Sequence, residues 1–249
     1  SLNYLQIKKQ IWTVKRLLDW SENYFLKKNI PQPRLSAEFL LSAVFKCKRI
    51  QLYLNYNNVV EEHVLVKFKE FILKRTENIP IQYILNESYF RNIKLYVDKN
   101  VLIPRPETEL LVDRALLSVL EHIKYFQNNI NKKGSKKSVK DINILEIGTG
   151  SGAIAISIAY ELEDFLTKKF CDKFNFNEIV KSFNWKILAT DLSRTALQIA
   201  DNNAKKLLDE KRYEKICFIY ADILPGNEQS FINLYKNNID IVVSNPPYI

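Results

Sequence analysis

The chain contains 249 residues, 47% of them hydrophobic, and carries a formal net charge of +9. These values predict a globular protein with one large or two small domains and exclude an intrinsically disordered chain. Charged residues interrupt every apolar stretch before it reaches the roughly 20 residues of a membrane-spanning helix, so no association with a membrane is expected.

The cysteines and histidines indicate neither a disulfide framework nor a metal site. Cys47, Cys171 and Cys217 are odd in number and far apart, and the two histidines are isolated. A disulfide-rich fold needs paired cysteines, and a zinc site needs closely spaced ligands. We therefore expect no metal, and a reducing compartment.

The positive charge is concentrated in the N-terminal third of the chain. Residues 1–79 carry 14 Lys and Arg against seven Asp and Glu. A basic surface of this kind suits a nucleic acid or an acidic protein as partner. The chain is rich in Asn, Lys, Ile and Tyr throughout, so a compositional bias explains the charge at least as well.

The same N-terminal residues predict a small helical domain. Apolar positions at helical spacing indicate helices over residues 2–28, from a cap at Ser36 to Phe45, and over residues 60–76. The prolines of the segment 31–33 end the first helix. We expect the two tryptophans of this domain to belong to its core rather than to a base-stacking surface.

A linker and a proline-rich segment follow. Residues 80–101 predict a linker with a β-hairpin, because strand-like residues flank the turn-prone pair Arg91-Asn92. Residues 102–109 read Leu-Ile-Pro-Arg-Pro-Glu-Thr-Glu and lead into an apolar helix that reaches Leu120. Residues 127–140 are rich in Asn, Lys and Ser and predict a polar loop.

The remainder of the chain alternates strands and helices, which predicts a parallel α/β sheet. The predicted strands cover residues 142–147, 186–190, 216–220 and 239–244, and the predicted helices cover residues 153–162 and 195–208. Residues 163–185 interrupt this alternation and are interpreted as a surface insertion.

A glycine-rich loop joins the first of these strands to the helix that follows. It reads Glu146-Ile147-Gly148-Thr149-Gly150-Ser151-Gly152. Glycines permit tight turns and a close approach of a ligand, and the N-terminus of a helix offers unpaired N–H groups. The loop lacks the Lys-Ser/Thr pair of a nucleotide triphosphate site, so a triphosphate is not favoured, whereas a dinucleotide is an alternative.

Two aspartates end the next two strands. Asp191 is at a position from which a carboxylate accepts hydrogen bonds from ribose hydroxyls, and Asp222 can approach an adenine amine. Asp191 lies 39 residues after Gly152, more than the roughly 20 of a dinucleotide fold, and the proposed insertion accounts for the excess. The alternatives are a helix cap for Asp191 and an exposed turn for Asp222.

The last predicted strand ends in Asn245-Pro246-Pro247-Tyr248-Ile249, which suits the methylation of a planar NH₂ group. The lone pair of such a nitrogen is delocalised, so a catalyst must orient the group. The Asn245 side chain and the Pro246 carbonyl offer acceptors for its two N–H bonds, and Tyr248 offers an aromatic face. The alternative is an ordinary turn after a strand.

Together these residues resemble the HemK-type family of glutamine methyltransferases that act on peptide chain release factors. The resemblance covers residues 79–249, and residues 105–109 are its most family-specific part. The Asn-Pro-Pro-Tyr motif is shared with adenine and cytosine amino methyltransferases. The resemblance depends on residues 80–84, 102–109 and 146–155, on Asp191 and Asp222, and on residues 245–249.

The resemblance implies S-adenosyl-L-methionine as the methyl donor and a Rossmann-like class I methyltransferase sheet. It implies a helical N-terminal substrate-binding domain over residues 1–79, a linker with a hairpin over 80–101, and the methyltransferase domain over 102–249. The later strands of the family's seven-stranded sheet would follow Ile249, so the chain is expected to be truncated there. The expected compartment is the cytoplasm, or an organelle if a targeting segment precedes the chain.

The resemblance also assigns roles by position. It implies that Gly148, Thr149, Gly150, Ser151 and Gly152 line the methionine part of the cofactor, that Asp191 holds the ribose, and that Asp222 and Ile223 contact the adenine. Some family members have an aromatic ring where this chain has Ile223. The catalytic residues would be Asn245, which also faces the cofactor, Pro246 and Tyr248, and the substrate would be held by these three together with Pro247 and Arg105.

Two other functions stay open on the sequence alone. One is an amino methyltransferase that acts on DNA or RNA, but the N-terminal helices show no target-recognition region of the kind that base flipping requires, so nucleic acid is not the expected substrate. The other is an inactive fragment of the family, because a sheet that ends at the fourth strand would have an uncovered edge.

Overall fold

The structure is a computed structural model that describes residues 11–133, 141–170, 183–224 and 238–246, with backbone alone for residues 127–133 and Phe170. Its contacts divide the chain into two compact units, Ser1–Asn86 and Glu87–Ile249.

The first unit is helical. Its core includes Leu18, Phe25, Leu40, Leu41 and Phe68, each at most 1% exposed. The expectation for the tryptophans was wrong for Trp20, which is 46% exposed and stacks on Tyr24 with the ring centroids 5.2 Å apart. Its helices in the described residues are α1 (Val14–Lys27), α2 (Pro33–Phe45), α3 (Arg49–Leu54), α4 (Glu62–Thr76) and α5 (Ile81–Leu85).

The boundaries of these helices correct the sequence prediction in two places. Helix α2 begins at Pro33 and not at Ser36, because the fixed φ of proline suits the first helical position. Helix α1 begins at Val14, where the Thr13 side chain accepts from the Arg16 N–H, while residues 1–10 lie outside the described part. Helix α3 was not predicted, since six residues carry little periodic signal.

The second unit begins with the predicted hairpin. Strands β1 (Ser88–Phe90) and β2 (Ile93–Leu95) are antiparallel, and Arg91 in the turn has a φ of +49°. The Arg91 guanidinium donates to both carboxylate oxygens of Glu161 at 2.9 and 2.7 Å, and its Nη1 lies 2.8 Å from Asp113 Oδ1. The Arg91 backbone N–H also donates to Glu109 Oε1 at 3.0 Å. These bonds tie the turn to two helices of the second unit.

We expect Arg91→Met to loosen the hairpin. The Arg91 and Glu161 side chains are 15% and 14% exposed, and removing the cation leaves the Glu161 carboxylate without a positive partner, which costs up to about 3–5 kcal/mol where such a pair is buried. Amide hydrogen exchange over residues 88–95 should accelerate accordingly. The control is Arg114→Met, on an exposed arginine of the helix that follows. Equal exchange rates over residues 88–95 in both variants would contradict the expectation that the Arg91 contacts hold the hairpin in place.

The second unit contains the predicted parallel sheet. The strands in the described residues are β3 (Ile142–Ile147), β4 (Trp185–Asp191), β5 (Ile216–Tyr220) and β6 (Ile241–Ser244), in the order β5-β4-β3-β6. The helices are α6 (Glu109–Lys133), α7 (Ala153–Phe170), α8 (Arg194–Leu207) and α9 (Glu210–Tyr213), and a 3-10 helix covers Pro106–Thr108. Most of β3 and β4 is buried, as expected for parallel strands covered on both faces.

Two loop predictions in this unit were wrong. The predicted polar loop 127–140 begins too early, because helix α6 continues to Lys133. The predicted insertion 163–185 begins inside helix α7, which continues to Phe170 and buries Leu166 to 1% exposure. Residues 134–140 and 171–182 lie outside the described part.

The strand order fixes where a ligand can bind. From β3 the chain moves outward through β4 to β5 and then returns to place β6 on the other side of β3. In open parallel sheets, ligands bind at the carboxyl ends of the strands on either side of such a reversal. That edge carries the loops that follow β3 and β6. Over the described residues, no helix has the length and apolar character that crossing a membrane requires.

Candidate cofactor and catalytic site

The glycine-rich loop follows β3 at this edge and is tied to the neighbouring strand. The backbone N–H groups of Gly148 and Thr149 both donate to the Thr190 carbonyl at 2.9 Å. Thr149 and Ser151 are buried, at 4% and 3% exposure, whereas Gly148 is exposed and Gly150 is half-buried. The loop therefore presents main-chain groups.

The glycines of this loop serve two different needs. Gly152 has a φ of +81°, and a Cβ there would lie 2.8 Å from Ile156 Cδ1 and 3.1 Å from the Ala200 Cβ, so packing excludes a side chain. A Cβ on Gly148 or Gly150 would have no atom within 4 Å. The space beside these two glycines is where a ligand can approach the backbone.

Asn203 on α8 holds the far side of the loop. Its Nδ2 donates to the Ser151 carbonyl at 3.0 Å and to the Tyr96 carbonyl at 3.0 Å, and its Oδ1 accepts from the Tyr96 N–H at 2.8 Å. Asn203 is 2% exposed. Sequence reasoning missed this residue, because a single asparagine in an amphipathic helix carries no local signal of a contact 52 residues away.

Asp191 connects the glycine loop to the start of α8. Its Oδ2 accepts from the Gly150 N–H at 2.9 Å, and its Oδ1 accepts from the Ser193 N–H at 2.8 Å. The N-cap of α8 is Ser193 itself, so the alternative of Asp191 as the cap is not what the structure shows. Each carboxylate oxygen keeps a second lone pair that can accept from a ligand hydroxyl.

Glu146 is buried beneath the glycine loop at 1% exposure. Its Oε2 accepts from the Thr149 hydroxyl at 2.7 Å and from the Ala155 N–H at 3.1 Å. Burial raises the pKa of Glu146 to about 8 against the lowering effect of these two bonds. Glu146 therefore supports the loop from below, a role not predicted from the sequence.

We expect Glu146→Gln to remove a pH dependence of stability. Between pH 4.5 and 8 the unfolded state ionises Glu146 while the folded state retains the proton, so the free energy of unfolding falls as pH rises, by at most about 1.4 kcal/mol per unit. Glutamine cannot ionise. The free energy of unfolding in urea, relative to that of the wild type, should therefore be higher for the variant at pH 8 than at pH 5. The exposed Glu210→Gln is the control. Parallel profiles of variant and wild type would contradict this expectation.

Asp222 and Ile223 follow β5 at the same edge of the sheet. Asp191 is in register with Tyr220, which places the ends of β4 and β5 side by side. Ile223 is 54% exposed, and its carbonyl lies 3.1 Å from the Thr190 hydroxyl. An exposed carboxylate next to an exposed apolar side chain suits a flat heterocycle with an amino group.

Asn245 follows β6 beside the glycine loop. Ser244 is in register with Ile147, and its hydroxyl donates to the Ile147 carbonyl at 3.1 Å. The Asn245 Nδ2 donates to Thr108 Oγ1 at 3.1 Å. Thr108 belongs to the Arg-Pro-Glu-Thr-Glu segment, so the two most informative motifs of the sequence meet at this contact.

The remaining candidate residues are placed as follows. Pro246 and Arg105 are exposed, and the Arg105 carbonyl accepts from the Thr108 N–H at 3.0 Å at the start of the 3-10 helix. Pro247 and Tyr248 lie outside the described residues. The structure therefore brings together the glycine loop, Asp191, Asp222 and Asn245 along one edge.

The groups at this edge of the sheet suit the binding of S-adenosyl-L-methionine. Open space beside Gly148 and Gly150 accommodates a ligand next to the main chain, and Asp191 offers acceptors for a ribose diol. In the described residues no cluster of three His, Cys, Asp or Glu side chains could hold a metal ion.

Comparison with known proteins supports this interpretation. A model of the PrmC N-terminal domain family matches residues 16–85, and a model of the lysine methyltransferase family matches residues 117–246. The first match covers the helical unit and the second covers the parallel sheet.

Among the relatives that match nearly the whole chain are three that are each named release factor glutamine methyltransferase. That of Rhodopirellula baltica is 35% identical over 238 residues, covering 96% of this chain and 66% of the relative. Those of Leptospira interrogans and Chlorobaculum tepidum are each 33% identical, covering 95% and 96% of this chain and 68% and 69% of the relative. The chain thus spans about two thirds of the length of these relatives.

These matches confirm the resemblance and the expected fold class, a Rossmann-like methyltransferase sheet with a helical N-terminal region and a hairpin. The expected cofactor is confirmed as well. The chain belongs to the family of release factor glutamine methyltransferases, which are S-adenosyl-L-methionine-dependent enzymes.

Proposed function

We propose that the protein transfers a methyl group from S-adenosyl-L-methionine to the side-chain amide nitrogen of a glutamine in a peptide chain release factor. The observation that carries the proposal is the orientation of Asn245. Its Nδ2 is engaged by Thr108 at 3.1 Å, which leaves Oδ1 as an acceptor beside the glycine loop. An acceptor at this place suits a substrate that presents N–H bonds.

The site residues act by binding and orientation. Asn245 Oδ1 and the Pro246 carbonyl accept the two N–H bonds of the glutamine amide, and Tyr248 packs against its plane. When bound, the cofactor supplies a methyl group on a positively charged sulfur. The fixed acceptors Asn245 Oδ1 and the Pro246 carbonyl would stabilise the positive charge that develops on the amide nitrogen as it receives the methyl group. The amide proton leaves after transfer, so no strong general base is required.

The two units have different roles in the proposed reaction. The glycine loop, Asp191, Asp222 and Ile223 hold the cofactor, with main-chain contacts along residues 148–152. The helical unit, matched by the PrmC N-terminal domain model, helps to bind the release factor, to which Arg105 and Pro247 also contribute contacts. Because release factors act during translation, the protein works in the cytoplasm or in an organelle that translates its own proteins.

The test is a methyl transfer assay with labelled S-adenosyl-L-methionine. The acceptors are release factors, the same factors with the candidate glutamine replaced by alanine, and DNA and RNA. We expect label in the unmodified release factor alone, with mass spectrometry placing one methyl group on a glutamine. Label on a lysine, on nucleic acid, or on the glutamine-deleted factor would overturn the proposal.

A further inference from the structure

We infer that Thr108 is a positioning residue for methyl transfer, because its hydroxyl accepts from Asn245 Nδ2 and holds that side chain with its carbonyl end available to the substrate. The contact is the bond from Asn245 Nδ2 to Thr108 Oγ1 at 3.1 Å, made across 137 residues of sequence. The inference rests on the proposed function and deepens it. It assigns a task to a residue of the Arg-Pro-Glu-Thr-Glu segment.

An asparagine at this place needs such a partner. The two ends of its amide are similar in size and opposite in hydrogen-bonding character, and rotation about its last side-chain bond is broad and roughly two-fold. If the group turns over, the NH₂ end of Asn245 faces the N–H bonds of the substrate, and two donors then meet. With Nδ2 engaged by Thr108, the carbonyl end is directed away from Thr108 and is available as an acceptor.

Thr108 is itself held firmly. It is 8% exposed, and its N–H donates to the Arg105 carbonyl at 3.0 Å. The next residue, Glu109, accepts from the Arg91 N–H through its side chain at 3.0 Å, and its carbonyl accepts from Arg91 Nη1 at 3.2 Å. The hydroxyl therefore projects from a backbone that is fixed on both sides, as a positioning group requires.

The first arm of the test compares Thr108→Val with Thr108→Ser. Valine keeps the shape and removes the hydroxyl, so kcat should fall about 10- to 100-fold, because small misplacements at a reacting group cost up to this much. The affinity for S-adenosyl-L-methionine should stay unchanged, and serine should restore most of kcat. Thr108→Ala repeats the deletion if valine impairs folding. Normal kcat in the hydroxyl-deleted protein, or a loss that serine fails to restore, overturns the inference.

The matched control is Ser157→Ala. Ser157 is fully buried in α7, and its hydroxyl has no hydrogen-bond partner in the part of the chain that the structure describes. Its removal deletes a buried hydroxyl from the same unit without touching Asn245, so kcat should stay within about twofold. A loss equal to that of Thr108→Val would show that the effect is not specific to the Thr108 contact and would overturn the inference.

The second arm does not depend on activity. With ¹⁵N-labelled asparagine, the side-chain resonance of Asn245 is assigned by its loss in Asn245→Ala. We expect Thr108→Val to shift this resonance and to accelerate exchange of its amide protons with solvent, while serine preserves both. An unchanged resonance overturns the positioning role even if the wild type is active. If the wild type methylates no release factor but the resonance responds as expected, the proposed function fails and the Thr108 contact stands.

Discussion

Asn245→Ala is expected to reduce methyl transfer to a release factor by at least about 1,000-fold while leaving the affinity for S-adenosyl-L-methionine within about threefold. The substitution removes the acceptor that orients the amide nitrogen, and positioned electrostatic partners of this kind contribute about 10²- to 10³-fold each, with orientation adding to this. The proposed cofactor contacts of Asp191 and the glycine loop come from other strands and would remain. Turnover is measured by transfer of labelled methyl groups, and binding by titration calorimetry.

The matched control is Asn143→Ala. Asn143 lies at the opposite end of β3, and its Nδ2 donates to the Asn238 carbonyl at 2.9 Å. This variant also loses one side-chain hydrogen bond from an asparagine at the rim of the sheet, so it reports any general effect on stability. Near-normal turnover of Asn245→Ala, or an equal loss in Asn143→Ala, would defeat the assignment of Asn245.

The sequence predicts the parts of this fold that have local signals. Gly148, Gly150 and Gly152 all have positive φ, a conformation that glycine adopts more readily than other residues. The spacing of these glycines therefore predicts a tight loop. The turn at Arg91-Asn92 was predicted because strand-like residues flank a turn-prone pair, and in the structure the residues of both short strands alternate in burial. Helices separate strands β3, β4 and β5, and this alternation indicates a parallel sheet.

The parts that depend on distant contacts could not be predicted. The bonds from Asn203 to Ser151 and Tyr96, and from Asn245 to Thr108, join residues that are 52 to 137 positions apart. The neighbours of Asn203 do not distinguish it from an ordinary surface asparagine. The motif around Asn245 predicts a catalytic role but not the contact with Thr108. The continuation of α7 to Phe170 was missed for a related reason, because Leu166 is buried by packing in the fold while its Lys-rich surroundings suggested a surface loop.

The site is arranged so that Asp191 has two tasks. One task belongs to the folded protein alone, because the carboxylate joins the Gly150 N–H at 2.9 Å to the Ser193 N–H at 2.8 Å. The other task is the proposed one in the complex, where the remaining lone pairs would accept from the ribose hydroxyls. A substitution is therefore expected to remove the proposed contacts to the cofactor and also to release the glycine loop from Asp191.

Asp191→Ala is consequently expected to weaken binding of S-adenosyl-L-methionine by about 100-fold, equivalent to about 2.7 kcal/mol. The reason is that two backbone donors lose their partner, at about 1–3 kcal/mol for each one that stays buried, and the ribose loses its acceptor. Asp191→Asn should be intermediate, because its amide oxygen still accepts while its NH₂ end faces a backbone N–H. Calorimetric titration at a fixed salt concentration measures the affinity of the wild type and of both variants for the cofactor.

The control is Asp164→Ala, which removes an exposed carboxylate from α7 and should leave binding unchanged. Because both variants lose one negative charge, the comparison separates the hydrogen-bonding role of Asp191 from a general effect of charge on a positively charged cofactor. A loss below about threefold in Asp191→Ala would mean that the loop holds its shape through Thr190 and Asn203 alone, since a threefold change corresponds to only about 0.7 kcal/mol. In that case the affinity would come from the main chain of the glycine loop, and the carboxylate would be structural.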